Sequence, residues 1–369
     1  MAKSVCIADV CKEIFAGGDV PKSALSYEKT AEYNVPIFSN GEKNCGLYGY
    51  TNNARVKEPS ITVSARGTIG YTAIRTEPFV PVVRLITLTP KSEVIDLDYL
   101  FYATQNYKFE GSGTSIPQLT VPMLKKYKFP LPEMSHQKAI AVKFEKLDQL
   151  ISLRKQQLAK LDELVKARFV EMFGDPIRNE KGWNTYTLAE MCDGIGDGLH
   201  GTPEYDENGE YPFINGNNLI SGIIQINPST KKVNKKTYEK HYIKISHNAI
   251  LLSINGTLGR IAFYNSEQVM LGKSACYCNL RDEVNRIFVY NIMKTDAFAR
   301  YLEDNATKST IKNVGLKAIR EYRLIMPPIP LQNQFSSFVE RVDQQKQTVQ
   351  QSLEKLELMK KALMQEYFG

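Results

Sequence analysis

Pro132–Gly174 reads PEMSHQKAIAVKFEKLDQLISLRKQQLAKLDELVKARFVEMFG, and the chain ends on a second version of it: Pro327–Gly369, PPIPLQNQFSSFVERVDQQKQTVQQSLEKLELMKKALMQEYFG. The two align without a gap at an offset of 195. From Thr114 against Ser309 to Gly174 against Gly369, 16 of 61 positions are identical, which makes the pair a duplication. Identical pairs include Pro132/Pro327, Gln137/Gln332, Asp148/Asp343 and Phe173/Phe368. In the first copy Ile140, Phe144, Leu147, Ile151, Leu158, Leu161, Val165 and Met172 fall on the 4-3 spacing of a coiled-coil seam. The second copy places Phe335, Val339, Val342, Val349, Leu353, Leu356, Leu363 and Tyr367 at the same repeat positions. Pro132 precedes the first run and Gly174 is a C-terminal stop, so the pattern predicts helices over 133–173 and 331–367. Each would be ~60 Å long at ~1.5 Å per residue. Neither buries its seam alone, and the simplest pairing is with the other, antiparallel. That places a globular unit at each end and gives one chain a pseudo-twofold repeat. Arg154, Arg168, Lys346 and Lys360 interrupt the seam, and every break is basic. Two readings stay open: a register or docking point at the rod centre, or stems packed along the seam with charges reaching water.

Outward from the helices, the two remaining segments repeat each other. Val5–Cys11 matches Tyr186–Cys192, and ITVSARGTIG at 61–70 matches ILLSINGTLG at 250–259. Ile61–Ile74 reads as a hairpin around a Gly-containing turn, Pro81–Leu88 as a strand, and Asp96–Asn106 as a short helix, with Asp296–Leu302 as its counterpart. The fold class is therefore α+β. Two mixed α/β domains, 1–131 and 175–326, are separated by two long helices, 132–174 and 327–369, forming an antiparallel coiled coil.

The composition narrows the function. Of 369 residues 43% are hydrophobic, a globular balance, and the net charge of +7 with a pI near 8.9 favours an anionic partner. No apolar run approaches the ~18 residues of a membrane span, which turns the charge argument toward nucleic acid. The opening MAKSVCIADVCKEI lacks the apolar core of a secretory signal. Six cysteines form no C-x-x-C pair, so we read reduced thiols, a cytoplasmic setting and no metal site, with Cys276 and Cys278 filling a strand.

No catalytic constellation emerges. Gly196–Gly201 fits G-x-G-x-x-G, but Thr202-Pro203 follows where a helix should begin and no β-α-β unit surrounds it. His200 has no partner at triad spacing, no nucleophile elbow or P-loop is present, and Asn227-Pro228 lacks the rest of an amino-methyltransferase motif. Binding remains. Polar loops with Gly let a backbone approach phosphates, while Arg, Asn, Gln and His reach base edges. The candidate DNA-binding residues are Ser64, Arg66, Gly67, Thr68, Thr114, Ser115 and Gln118 in the first domain. In the second they are Asp197, His200, Thr202, Asn255, Gly256, Thr257, Lys273, Lys308, Ser309, Thr310 and Asn313.

In its order of domains and helices the chain resembles the specificity (S) subunit of a type I restriction–modification system. Local wording supports this: the Gly-Thr-x-Gly hairpins, Asp197-Gly198 with His200 and Thr202-Pro203, Pro327 with Gln332 opening a helix, and Phe173–Pro176 with Trp183. The resemblance implies a non-catalytic subunit of a bacterial or archaeal cytoplasm. Each target-recognition domain would read half of a bipartite site in double-stranded DNA. The helix pair would act as spacer and as dock for two methylation (M) subunits, which restriction (R) subunits then join. S-adenosylmethionine, ATP and Mg would belong to those partners, and none to this chain. The first domain departs from the pattern, with Gly17-Gly-Asp-Val-Pro-Lys22 where Asp-Gly-x-His is expected. The rival readings are a self-contained DNA-acting enzyme and a coiled-coil protein scaffold.

Overall fold

Residues 3–107 and 118–369 are described by the computed structural model, and two compact units divide them. Unit 1 takes residues up to Gln157 together with Val349–Gly369, and unit 2 takes Leu158–Thr348. Each long helix thus contributes one part to each unit.

Unit 1 is built on an antiparallel sheet with strand order Cys11–Ala16, Ile86–Pro90, Ser60–Val63, Thr72–Arg75. In unit 2 the order Cys192–Asp197, Ala275–Leu280, Ala249–Ser253, Ile261–Phe263 reproduces it. Even the register irregularity recurs, between Cys11 and Glu13 and between Cys192 and Gly194. A smaller three-stranded sheet also recurs. Val35–Phe38 pairs antiparallel with Leu47–Thr51 and parallel with Val80–Pro81; Tyr211–Ile214 does the same with Lys232–Val233 and Met270–Leu271. The hairpin read over 61–74 is present as Ser60–Val63 against Thr72–Arg75.

Two local readings change. The strand expected over Pro81–Leu88 is two strands, Val80–Pro81 and Ile86–Pro90, in different sheets. Val83 and Arg84 lie between them at φ +54° and +65°, a left-handed turn that β-branched Val gives no hint of. The counterpart of the helix Leu97–Asn106 is Arg286–Met293, not Asp296–Leu302. Asp96 caps the first through Tyr99 N, and Asn285 caps the second through Ile287 N and Phe288 N. The offset is 189 from the hairpin to these caps and 195 beyond them. Asp296–Asp304 is a further helix.

The long helices run Met134–Phe173 and Ile329–Phe368, and Gly174 ends the first at φ +76° with its N–H on Val170 O. Inside each unit they pair antiparallel. In unit 1 Lys143 donates to the Tyr367 hydroxyl, Lys360 pairs with Asp148, and Lys155 with Glu357. In unit 2 Lys346 pairs with Asp162, and the Arg168 guanidinium lies over Phe338. The seam ends in the domain cores. Phe144 stacks on Tyr102 and Phe368, and Phe368 meets Tyr99; in unit 2 Phe169, Phe173, Phe288 and Phe335 form one aromatic cluster. Phe169 and Phe173 are buried core that the 4-3 pattern missed.

The basic breaks gain a physical account. Lys346 and Lys360 are about three-quarters buried, and each ammonium meets a carboxylate of the facing helix. Arg154 donates to Ser352 and Gln157. These contacts favour one register. Lys360→Asp is expected to lower the unit 1 melting temperature by about 2–4 °C, for roughly 1 kcal/mol after discounting for exposure. Adding Asp148→Lys should restore it in a calorimetric scan, whereas an unrestored double variant would deny the pair its role.

Among the described residues no helix is long and apolar enough to cross a membrane. Cys276 and Cys278 are fully buried strand residues. A hydrogen bond to Cys278 and burial push the Cys192 thiol well above its ordinary range, and burial pushes Cys11 up to about 12. These are neutral thiols, suited to packing and not to nucleophilic work.

Candidate nucleic-acid interface

The hairpin of each unit carries a tip of the same build. Residues 66–70 and 255–259 share one exposure pattern, with Gly67, Thr68, Gly256 and Thr257 in solvent. Gly67 and Gly256 sit at φ +69° and +76°, which closes the turn at no steric cost. Ser64 does not reach the surface. It is buried beneath the tip, where its Oγ accepts from Gly41 N at 3.1 Å; Ser253 at the equivalent position donates to Thr257 O and accepts from Arg260 N.

The tip is stitched to the segment that follows the short helices. In unit 1 Leu119 N donates to Ala65 O, and the Arg66 guanidinium donates twice to Gln118 Oε1, at 3.1 and 2.9 Å. In unit 2 Val314 N donates to Ile254 O, and Asn255 Nδ2 donates to Asn313 Oδ1 at 3.2 Å. Four candidates nominated from separate loops therefore form two equivalent pairs. Lys308, Ser309 and Thr310 extend this edge and are exposed, with the turn held by Asn313 N on Thr307 Oγ1 and Ser309 Oγ on Ile311 O. Thr114 and Ser115 lie outside the described residues.

Unit 2 adds a second loop to the same connected surface. Asp197 Oδ2 and His200 Nε2 are 2.7 Å apart, with the imidazole exposed. Leu199 bridges Gly272, and Lys273, which is exposed, follows. Ser274 Oγ then bonds Asn215, and Arg260 reaches Asn217 O. Thr202 is exposed in the irregular stretch beyond, and no helix follows the glycine motif. A Cβ on Gly198 would sit 2.0 Å from Leu271 O, and one on Gly17 would sit 2.5 Å from the Pro81 carbonyl. Gly17 is thus the counterpart of Gly198, so the two domains share the close approach. Asp197 and His200 answer to Ala16 and Asp19, which makes their hydrogen bond a feature of unit 2 alone.

Three asparagines escaped the sequence reading. Asn40 accepts from Ala65 N and donates to Val83 O, tying the tip to the left-handed turn. Asn215 and Asn217 line a cleft of about 340 Å³ with Tyr205, Phe213, Asn227 and Lys231. Among the described residues no three His, Cys, Asp or Glu side chains gather as metal ligands.

The sequence profile of the type I restriction modification DNA specificity domain matches residues 2–163 and again 180–358. The chain belongs to that family. A putative type I specificity subunit of Mycoplasma pneumoniae is 36% identical over 168 residues, covering 42% of this chain and 46% of that protein. A second from the same organism is 37% identical over 163 residues, covering 41% and 48%. The chain thus aligns with about half the length of each. The type I restriction enzyme MjaIX specificity subunit of Methanocaldococcus jannaschii is 24% identical over 372 residues, covering 88% of this chain and 80% of its own. Among solved structures, the S subunit of a type I restriction–modification system from M. genitalium superposes with a TM-score of 0.62 at 18% identity, covering 100% of this chain and 96% of that one. A chain from work on complex assembly and conformational transition of the type I R-M system gives 0.58 at 15%, covering 99% and 97%. At such identities the likeness is one of fold, and it extends over both family repeats and both long helices.

Proposed function

We propose that the chain is the non-catalytic DNA-recognition subunit of a type I restriction–modification complex, each unit reading one half of a bipartite site in double-stranded DNA. The observation that carries this is the pair of equivalent hairpin tips, built on one topology and furnished with different polar side chains. A duplicated scaffold with divergent tips suits a split target better than a single active site does. On this reading the helix pair sets the number of unread base pairs between the halves and receives methylation subunits, two in the symmetric case, with restriction subunits joining after them. S-adenosylmethionine, ATP and Mg are then the partners' ligands. Arg66, Lys273 and Lys308 supply positive charge near the tips, where phosphates would lie.

The test is a long-read methylation map. Expression of this chain with its methylation subunit in a methylation-free host is expected to add one split motif, and omission of the chain to remove every such mark. Marks that persist without the chain would refute the proposal.

A further inference from the structure

Arg66 and Asn255 stand at the same place in the two units, each on the half-buried shoulder of a hairpin tip beside an exposed glycine. Each is held by one partner from the same second segment, Gln118 and Asn313. What differs is the hydrogen-bonding edge that remains. Gln118 Oε1 takes the Nε and one Nη2 proton of Arg66, the side-on edge of the guanidinium. Among the described residues nothing takes the end-on fork, Nη1–H with the second Nη2–H, so its two parallel donors remain. Asn255 gives one Nδ2 proton to Asn313. Its second Nδ2–H and its Oδ1 take no partner among the described residues, which leaves one donor and one acceptor.

In the major groove these two edges have different complements. Two parallel donors match guanine O6 and N7, while a donor beside an acceptor matches adenine N7 and N6. We infer that Arg66, positioned by Gln118, reads a guanine in one half-site, and that Asn255, positioned by Asn313, reads an adenine at the equivalent place in the other. The inference rests on the reading that both units meet duplex DNA. It goes further in assigning a base to each unit and a positioning role to Gln118 and Asn313.

The experiment uses the chain in complex with its methylation subunit. The split motif is first mapped on unmethylated genomic DNA, and duplexes carrying it are then made with 7-deazaguanine or 7-deazaadenine at each purine in turn. The wild-type complex should lose roughly 5- to 150-fold in affinity at one guanine of one half-site and one adenine of the other. In Arg66→Ala the guanine effect disappears and that position accepts other bases, with the second half-site unchanged; Asn255→Ala does the converse. The exchanges Arg66→Asn with Gln118→Asn, and Asn255→Arg with Asn313→Gln, should convert guanine to adenine and adenine to guanine at those positions. If no purine is sensitive to the 7-deaza change in the wild-type complex, the inference is overturned without recourse to any variant. It also fails if both alanine variants mark the same motif, whether at full rate or uniformly more weakly, as a phosphate contact would produce. A wild-type complex that marks no split motif would instead sink the proposal of DNA recognition itself.

Discussion

Phe173→Ala is expected to destabilise unit 2 by about 3–5 kcal/mol, lowering its melting temperature by roughly 10 °C. Phe173 is fully buried, with its ring against Phe288 at 4.9 Å and Phe335 at 5.5 Å, and its carbonyl accepts from Trp183 Nε1. Three chain segments meet on that ring: the end of the first long helix, the helix Arg286–Met293 and the start of the second long helix. Truncation leaves a cavity that none of them can close without moving a helix. Leu164→Ala is the control, since Leu164 is exposed on the unit 2 part of the same helix, and its loss should stay within about 0.5 kcal/mol. Denaturant unfolding followed by Trp183 fluorescence reports on unit 2, which holds the chain's one tryptophan. Equal midpoints for the two variants would mean that the aromatic cluster does not anchor the helix pair.

Gln137→Leu should be nearly as damaging in unit 1, at about 3–5 kcal/mol, although the new side chain is of similar size. Gln137 is buried where the helix begins. Its Oε1 accepts from Asp96 N, and its Nε2 donates to Val94 O and Pro132 O. Leucine would strand three backbone groups in the interior, at about 1–3 kcal/mol each before relaxation. Gln332 makes the equivalent contacts with Asn285 N and Pro327 O. Hydrogen exchange tests this residue by residue: the Asp96 amide should lose protection in Gln137→Leu, and the Asn285 amide in Gln332→Leu. Retained protection at either amide would show that the glutamine is not its acceptor. The shared Pro and Gln of the repeat thus have a structural cause. A buried amide locks the cap of a short helix to the first turn of a long one.

The parts of the site that were legible in the sequence are those with local chemistry. Gly67 and Gly256 announce turns, and the apolar runs beside them announce strands. Arg66, Gln118, Asn255 and Asn313 were each visible as polar loop residues, but nothing in their spacing joins position 66 to 118 or 255 to 313. Asn40 and Asn215 were overlooked because asparagine next to glycine reads as ordinary turn chemistry. Asp197 and His200 were named as one polar loop carrying the Asp-Gly-x-His wording of the resemblance, and the structure brings the two side chains into contact.

The sequence by itself determined the duplication, the two long helices and the hairpins, because periodicity, helix stops and glycine turns act over a few residues. Only the tertiary structure decided where Pro81–Leu88 breaks, which short helix answers to Leu97–Asn106, and what the basic breaks in the seam meet. Those outcomes depend on side chains up to 212 positions apart, as Asp148 and Lys360 are. Local propensity carries no record of such partners. Burial of the aromatic cluster and satisfaction of the buried polar groups select them once the chain has closed on itself.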